Sequence, residues 1–257
     1  MTQWIVQDSL NWTALQNNCS PLISTLQKMG IPFTLCGVIP FEHTITGIEQ
    51  VNFSIPTMFY GGTVLPILAK KLNCSTGIFW EDGWWNPNIW ATHRKDMLNQ
   101  SVNTITLSQL REDWITQPVF VKPVAVKEFT GMVLEGPDRD WFNEEYNELS
   151  GDLKICCSPI QKIEREWRFW IIDGKIITGS LYKKYGYLTI REPIGVDIWK
   201  AAEQLLKNWV PSDTVVMDAA QLTTGEFKIV EFNSINSSGF YNADISKIVT
   251  AIEKKYE

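Results

Sequence analysis

Two apolar runs, 164–172 and 175–182, are separated by nothing but Asp173-Gly174. That dipeptide supplies the positive φ angles a two-residue hairpin turn demands, so the runs are predicted to be antiparallel neighbours in one sheet. A second pair, 214–219 and 226–232, is joined by a turn through Thr224-Gly225. Between the pairs, Ile198, Ala201, Ala202, Leu205, Leu206 and Trp209 recur at helical spacing over 197–209, and Pro211 marks the stop. The chain closes on an amphipathic helix with Ile245, Ile248, Val249 and Ile252 on one face.

The first third reads differently. A strand is expected over 2–7, then a helix with Ser20 as N-cap, Pro21 at its first position and Gly30 just past its end. A strand over 31–38, a helix over 64–72 from Val64, Leu65, Leu68 and Leu72, and a strand over 77–80 complete an alternation that predicts a small α/β unit. The segment 80–90, WEDGWWNPNIW, is the densest aromatic patch in a chain with 12 Trp. It reads as a rigid loop packed over a core or as a stacking surface for a base or sugar. Short helices over 92–100 and 107–114 lead to strands at 118–123, 131–135 and 153–157, with the polar segment 136–150 as a loop or short helix.

At 257 residues, 44% of them hydrophobic and 20% charged, the chain has ample core for one large or two to three small units. Lys and Arg total 23 against 29 Asp and Glu, and the net charge of −6 with no basic block argues against nonspecific duplex binding. A local basic pocket for phosphates stays open. Five cysteines, two adjacent at Cys156-Cys157 and none in a C-x-x-C, point to free cytosolic thiols rather than disulfides or zinc. The uncharged stretch 50–69 is broken by Pro56, Gly61, Gly62 and Pro66, so it is not expected to cross a bilayer, and the N-terminus shows no secretory pattern. The expectation is a cytoplasmic protein with neither nucleic-acid nor membrane partners.

Three segments carry chemistry. In VMDAAQLTTGEFKIVEFN, Glu231 and Asn233 share one strand face, and pairing through the Thr224-Gly225 turn brings Asp218 across from them. Two carboxylates and an amide suit Mg²⁺, although such a strand end taken alone is more often a solvated turn. In PVFVKPVAVKEFTG, Lys122 interrupts an apolar strand and reads as a phosphate contact or as a snorkelling edge lysine; Lys127 reads as exposed. In IEREWRFWIIDG, Glu164, Glu166 and Arg168 share a face, as a salt-bridged exterior or as a groove for ribose hydroxyls and phosphate oxygens.

In this order, FVKP at 120–123, EWRFW at 166–170, Asp218 and EFN at 231–233 resemble the ATP-grasp superfamily, most closely its clade named for two arginines and a lysine, over residues 92–257. The resemblance implies an ATP-grasp fold, two α+β subdomains clamping ATP, preceded by a small α/β domain. Residues 1–91 would be that first domain, 92–163 linker helices and the lid (118–158), and 164–257 the core with the metal site. By resemblance Lys122 and Lys127 contact phosphates, the connector at 158–163 reads adenine, Glu166 binds ribose with Glu164 beside it, and Asp218, Glu231 and Asn233 hold Mg²⁺. Arg168, with Lys183 and Lys184 on the following strand, would face the transferring phosphoryl group, Arg168 and Lys127 acting as the catalytic pair. Lys95, or else Arg94, would supply a further nucleotide contact.

The chemistry implied is ligation: a carboxylate attacks the γ-phosphate of ATP, an acyl phosphate forms, and an amine displaces phosphate. The substrates would be small molecules or peptides, approaching from the N-terminal side and the loop with Asn236, Ser237, Ser238 and Gly239. No protein nucleophile is needed, which fits a chain whose only histidines are His43 and His93. Two departures from the family pattern stand out. Only Gly131 and Gly136 lie between Lys127 and Trp141, where many lids are glycine-dense, and Val216 stands where many ligases carry arginine, leaving the acyl-phosphate contact to Arg168 or Arg191. The same cleft would also serve a nucleotide-binding regulatory module without turnover, or a kinase-like phosphotransferase.

Overall fold

The computed structural model describes residues 2–8, 13–39, 43–72, 76–79, 86–99, 103–114, 117–124 and 128–257, which form three main sheets. The alternating N-terminal run becomes β1 (Gln3–Gln7), followed by α1 (Thr13–Met29) and β2 (Phe33–Ile39), parallel to β1. β3 (Thr44–Thr46) turns back on β2, and β4 (Thr57–Tyr60) lies parallel to β1 on its other side, before α2 (Val64–Lys70). The α/β unit is therefore present, with local corrections. α1 begins at Thr13, so Ser20 and Pro21 lie inside it. Pro21 forfeits one intrahelical bond, but Cys19, Leu22 and Leu26 on the buried face pack into the same core as Trp4 and Met58. Gly30 ends the helix at φ 67°, with the Ile31 N–H returning to the Leu26 carbonyl at 3.0 Å. Residues 77–79 run beside β4 without strand pairing, and residue 80 lies outside the described residues.

α3 (Pro87–His93) starts where the Asn86 side chain accepts from the Asn88 N–H, and it stops at His93 because Arg94 is extended. The helix expected over 92–100 is thus displaced toward the N-terminus, and Met97 instead bridges to Ile229. β5 (Asn103–Thr106) feeds α4 (Leu107–Glu112) through a capping box of Thr106 and Gln109. β6 (Val119–Pro123), β7 (Met132–Leu134), α5 (Arg139–Glu145) and β8 (Lys154–Ser158) complete an antiparallel sheet in the order β5-β8-β6-β7. Val121, Phe129, Leu134, Phe142 and Ile155 give this sheet a core of its own.

The Asp173-Gly174 turn does join two ten-residue strands, β9 (Ile163–Ile172) and β10 (Lys175–Lys184), both turn residues taking positive φ. β11 (Tyr187–Leu188) edges the sheet, and after α6 (Val196–Leu206) come β12 (Val215–Leu222), β13 (Phe227–Asn233) and α7 (Ile245–Lys255). The order is β11-β10-β9-β12-β13, all antiparallel. Strand alternation sorts its two faces. Trp167, Phe169, Met217 and Ala219 share a core with Ala202 and Leu205 of α6. Trp170, Ile172 and Val216, of opposite parity, pack with α1, α7 and the N-terminal strands, where Trp170, Phe240 and Tyr60 stack in sequence at 4.8 Å. That second face also carries Arg168 and Asp218. Among the described residues no helix is long and apolar enough to cross a membrane.

Candidate functional site

Asp218 lies opposite Arg168 on β9 and opposite Glu231 on β13. One irregularity makes this possible: Asp218 pairs with Glu231 but Ala219 pairs with Ile229, so Val230 is an extra residue in β13. A regular strand would put Ile229 and Glu231 on the same side; the bulge lets Ile229 enter the α6 core while Glu231 turns to Asp218. Beyond it alternation resumes, and the Asn233 amide donates to Glu231 Oε1 at 3.1 Å and to Asp218 Oδ2 at 3.3 Å. The three oxygen-bearing residues converge as expected.

They are not alone. Arg168 donates from Nε to Asp218 Oδ1 at 2.8 Å and from Nη2 to Oδ2 at 2.7 Å, a bidentate pair with both residues buried. Its Nη1 reaches the Gly239 carbonyl at 3.3 Å, and its guanidinium lies over the rings of Tyr182 and Tyr241, themselves stacked 5.0 Å apart. Burial pushes the Asp218 carboxyl up, opposed by Arg168. Burial also works against the Arg168 charge, but Asp218 outweighs it and holds the guanidinium cationic.

From the facing sheet, Lys122 on β6 reaches Glu231 Oε2 at 3.7 Å and lies over the buried Trp90 ring at 5.5 Å. Between the two sheets is a cavity of about 370 Å³, within the size range of small-ligand sites. Lys122, Glu166, Lys183 and Glu231 are its charged walls, and Met132, Val133 and Ile160 are apolar ones. Pro159, Gln161 and Ile163 bring the connector between the sheets to its rim. Gly131 is needed there, since a Cβ would come 2.7 Å from the Phe120 ring and 3.2 Å from Lys122 Cβ.

Of the residues singled out in the sequence, Lys122, Glu166, Arg168, Lys183, Asp218, Glu231 and Asn233 meet at this place. Glu164 is paired with Arg165 at 3.5 Å and is not part of the cavity wall. Lys95 is exposed and outside the cluster, while Arg94 turns inward to Asp96 and to the Leu205 and Trp209 carbonyls beside the end of α6. Arg191 is exposed and Lys184 is paired with Glu192. Lys127 lies outside the described residues, as does the aromatic patch at 80–85. Trp90, its last member, is buried and stands edge-on to Phe232. His43 and His93 are both exposed.

The loop after Asn233 requires a correction. Asn236 is fully buried, donating to the Phe59 and Gly77 carbonyls at 2.7 Å and accepting from the Phe79 N–H at 2.7 Å. Ser234 and Ser238 are buried too, with Tyr60 Oη donating to the Ser238 carbonyl. These groups tie β13 to the N-terminal sheet and are not open to substrate. Tyr182 and Tyr241 were missed at the site, because an aromatic residue in an apolar strand or loop looks the same whether it faces core or cleft.

The donor set fits a magnesium ion in kind: two carboxylates and an amide, hard oxygens in adjacent register. Asn233 as placed presents its nitrogen, so ligation requires its amide to turn. Among the described residues no group of three His, Cys, Asp or Glu forms another metal site.

A family model described as an ATP-grasp domain, the second family of the clade named for two arginines and a lysine, matches residues 97–251. No curated protein matches the chain in sequence. Among solved structures, D-cycloserine synthetase DcsG is similar over 100% of both chains at 11% identity and TM-score 0.65. D-alanine–D-alanine ligase from Bacillus anthracis is similar over 99% of this chain and 97% of its own, at 14% identity and TM-score 0.59. The ATP-grasp ligase PsnB, solved with a phosphomimetic variant of its minimal precursor, Mg and ADP, is similar over 100% and 98%, at 13% identity and TM-score 0.54. At these identities the likeness is one of fold.

Proposed function

The chain belongs to the ATP-grasp domain family, in its clade named for two arginines and a lysine, and on that premise we propose that it is an ATP- and Mg²⁺-dependent ligase that activates a carboxylate as an acyl phosphate and joins it to an amine. The observation that carries this reading is the cavity that draws Lys122 from one sheet and Glu166, Lys183 and Glu231 from another. We take 92–163 as linker and lid, 164–257 as core and 1–91 as the preceding domain. The base would lie among Met132, Val133 and Ile160 beside the connector, the ribose at Glu166, and the phosphates between Lys122 and Lys183. Lys127 would add a lid contact.

Asp218, Glu231 and Asn233 would hold Mg²⁺, which would supply positive charge to screen the phosphates. The side chains do the rest. Lys122, released from Glu231, turns to the phosphates. Arg168 holds Asp218 in place and presents its remaining N–H groups on the substrate side, toward Gly239 and Tyr241. A carboxylate alone is a poor electrophile because oxide would have to leave; phosphorylation gives it a leaving group, and positioning with electrostatics supplies the catalysis. No protein nucleophile is called for.

D-cycloserine synthetase, D-alanine–D-alanine ligase and a ligase solved with a peptide precursor share the fold. We therefore propose amino acids or peptides as the carboxylate and amine partners, entering by Tyr241 rather than past the buried Ser234, Asn236 and Ser238. Free buried thiols suit a reducing cytoplasm. One observation favours a second reading, a nucleotide-binding module without turnover: Asp218 is already fully engaged by Arg168. Incubation with ATP, Mg²⁺, candidate acids and hydroxylamine separates the readings. Hydroxamate with ADP release is the expected result. A stable phosphorylated product would identify a phosphotransferase, and ATP binding without ADP a module.

A further inference from the structure

β10 is irregular where it passes Glu166. Leu181 pairs with Trp167 but Lys183 pairs with Glu166, so Tyr182 is an extra residue and two β10 side chains flank one acid. The Tyr182 hydroxyl donates to Glu166 Oε2 at 2.7 Å, while Oε1 lies 3.7 Å from Lys183 Nζ. Tyr182 is 5% exposed and part of the cavity wall. Its ring is fixed independently, stacked on Tyr241 at 5.0 Å and 11° with the Arg168 guanidinium over both rings. Burial, with Asp218 and Glu166 nearby, pushes the phenol well above its ordinary range, so it stays a donor across the neutral pH range.

We propose that Tyr182 is a positioning residue that aims the Glu166 carboxylate at the ribose of the bound nucleotide and thereby sets the preference for a ribonucleotide over its deoxy forms; this rests on the nucleotide reading above. A glutamate on a strand has rotatable torsions to lose before it can accept from a sugar hydroxyl. The phenol removes that freedom by engaging Oε2, leaving Oε1, shared with Lys183, open to a further donor. Without the hydroxyl the carboxylate is free to rotate onto Lys183, and the loss falls on ribose recognition while the stacked ring stays. The bulge is what makes the arrangement possible: in an unbroken ladder only one β10 residue would stand opposite Glu166.

The test is calorimetric titration of wild type, Tyr182→Phe, Glu166→Ala and the double variant with Mg-ADP, 2′-deoxy-ADP and 3′-deoxy-ADP. Wild type is expected to bind ADP about tenfold or more tighter than the weaker deoxy analogue, the scale of a hydrogen bond to a charged group. Tyr182→Phe should bring that ratio close to one by weakening ADP, with the deoxy analogue little changed. In the Glu166→Ala background the Phe substitution should change nothing further. A Tyr182→Phe protein that folds and keeps the wild-type ratio overturns the proposal, as does a Glu166→Ala protein that keeps it. Failure of wild type to bind ADP at all would instead sink the nucleotide reading itself.

Discussion

Arg168 and Asp218 face each other across β9 and β12 and share two hydrogen bonds, of 2.8 and 2.7 Å, in a corner where Asp218 is 2% exposed. This pair joins the Asp218 carboxylate, on β12, to β9. Through the Gly239 carbonyl and the stacked tyrosines, Arg168 also fixes the segment between β13 and α7. A resemblance alone placed Arg168 at the phosphoryl group and Asp218 at the metal; the structure adds that the two hold one another.

Breaking the pair from one side should therefore be felt in stability as well as in turnover. Arg168→Ala leaves a buried carboxylate without its partner, for which a loss of about 3–5 kcal/mol is expected in urea unfolding. Combining it with Asp218→Ala should cost less than the sum of the single changes, because the stranded charge is gone. Turnover should fall more than nucleotide affinity. An Arg168→Ala protein that matches wild type in both unfolding midpoint and rate would show the pair to be ornamental.

Lys122 and the Asn233 amide both lie on Glu231, so a metal bound there as proposed would have to displace them. Lys122→Met should bind Mn²⁺ more tightly in the absence of nucleotide, by at least about threefold for a partly exposed ion pair, while binding nucleotide more weakly. Opposite movement of the two affinities is the signature. Weaker binding of both would place Lys122 in the scaffold only. Glu231→Gln combined with Asn233→Ala should abolish Mg²⁺-dependent ADP release with the fold intact; retained activity would move the metal elsewhere.

The sheet that bears these residues was legible because its signals are local: Asp173-Gly174 for one hairpin, Thr224-Gly225 for the other, and period-2 alternation for shared faces. Glu231 joined Asp218 for a reason the pattern did not contain. Extending strict alternation backward from Glu231 would have put Ile229 in the cleft, and only the bulge at Val230 reconciles the two. The short strands β3 and β4 were invisible because three or four residues cannot display a period. The helix start misplaced to Ser20-Pro21 shows tertiary burial overriding a local stop signal: Leu22 and Leu26 keep one buried stripe running past the proline. Asn236 was read as substrate-facing because polarity in a loop usually means exposure; its partners, Phe59, Gly77 and Phe79, are more than 150 residues away.

Asn236 is consequently a stability residue. Asn236→Ala removes the side-chain hydrogen bonds to Ser234 and Met58 and leaves the Phe59 and Gly77 carbonyls and the Phe79 N–H without that partner. At about 1–3 kcal/mol for each buried group left unmet, a loss of about 3 kcal/mol or more in urea unfolding is expected. Asn236→Asp should be worse, since a carboxylate would face two carbonyl oxygens. A change below about 1 kcal/mol for both, close to the range of an ordinary surface substitution at about ±0.5 kcal/mol, would mean that the loop and the N-terminal sheet are not joined as described.

The thiols make a prediction in pH. Burial, with a contribution from Asp8, pushes Cys19 and Cys36 up to about 12 from 9.0. Both are therefore protonated and inaccessible in the folded protein at pH 8, and site-resolved alkylation should leave them unmodified until urea unfolds the chain. The folded-state value is raised, so the unfolded chain ionises first. The stability these thiols contribute is whole below about pH 8, and it declines through pH 9–12 by up to about 1.4 kcal/mol per pH unit for each thiol. Replacing both with alanine should flatten that part of the alkaline profile even as it lowers stability at pH 7. Rapid alkylation of either residue at pH 8 without denaturant, or an unaltered alkaline slope in the double variant, would contradict the burial of Cys19 on α1 and of Cys36 on β2 in their separate cores.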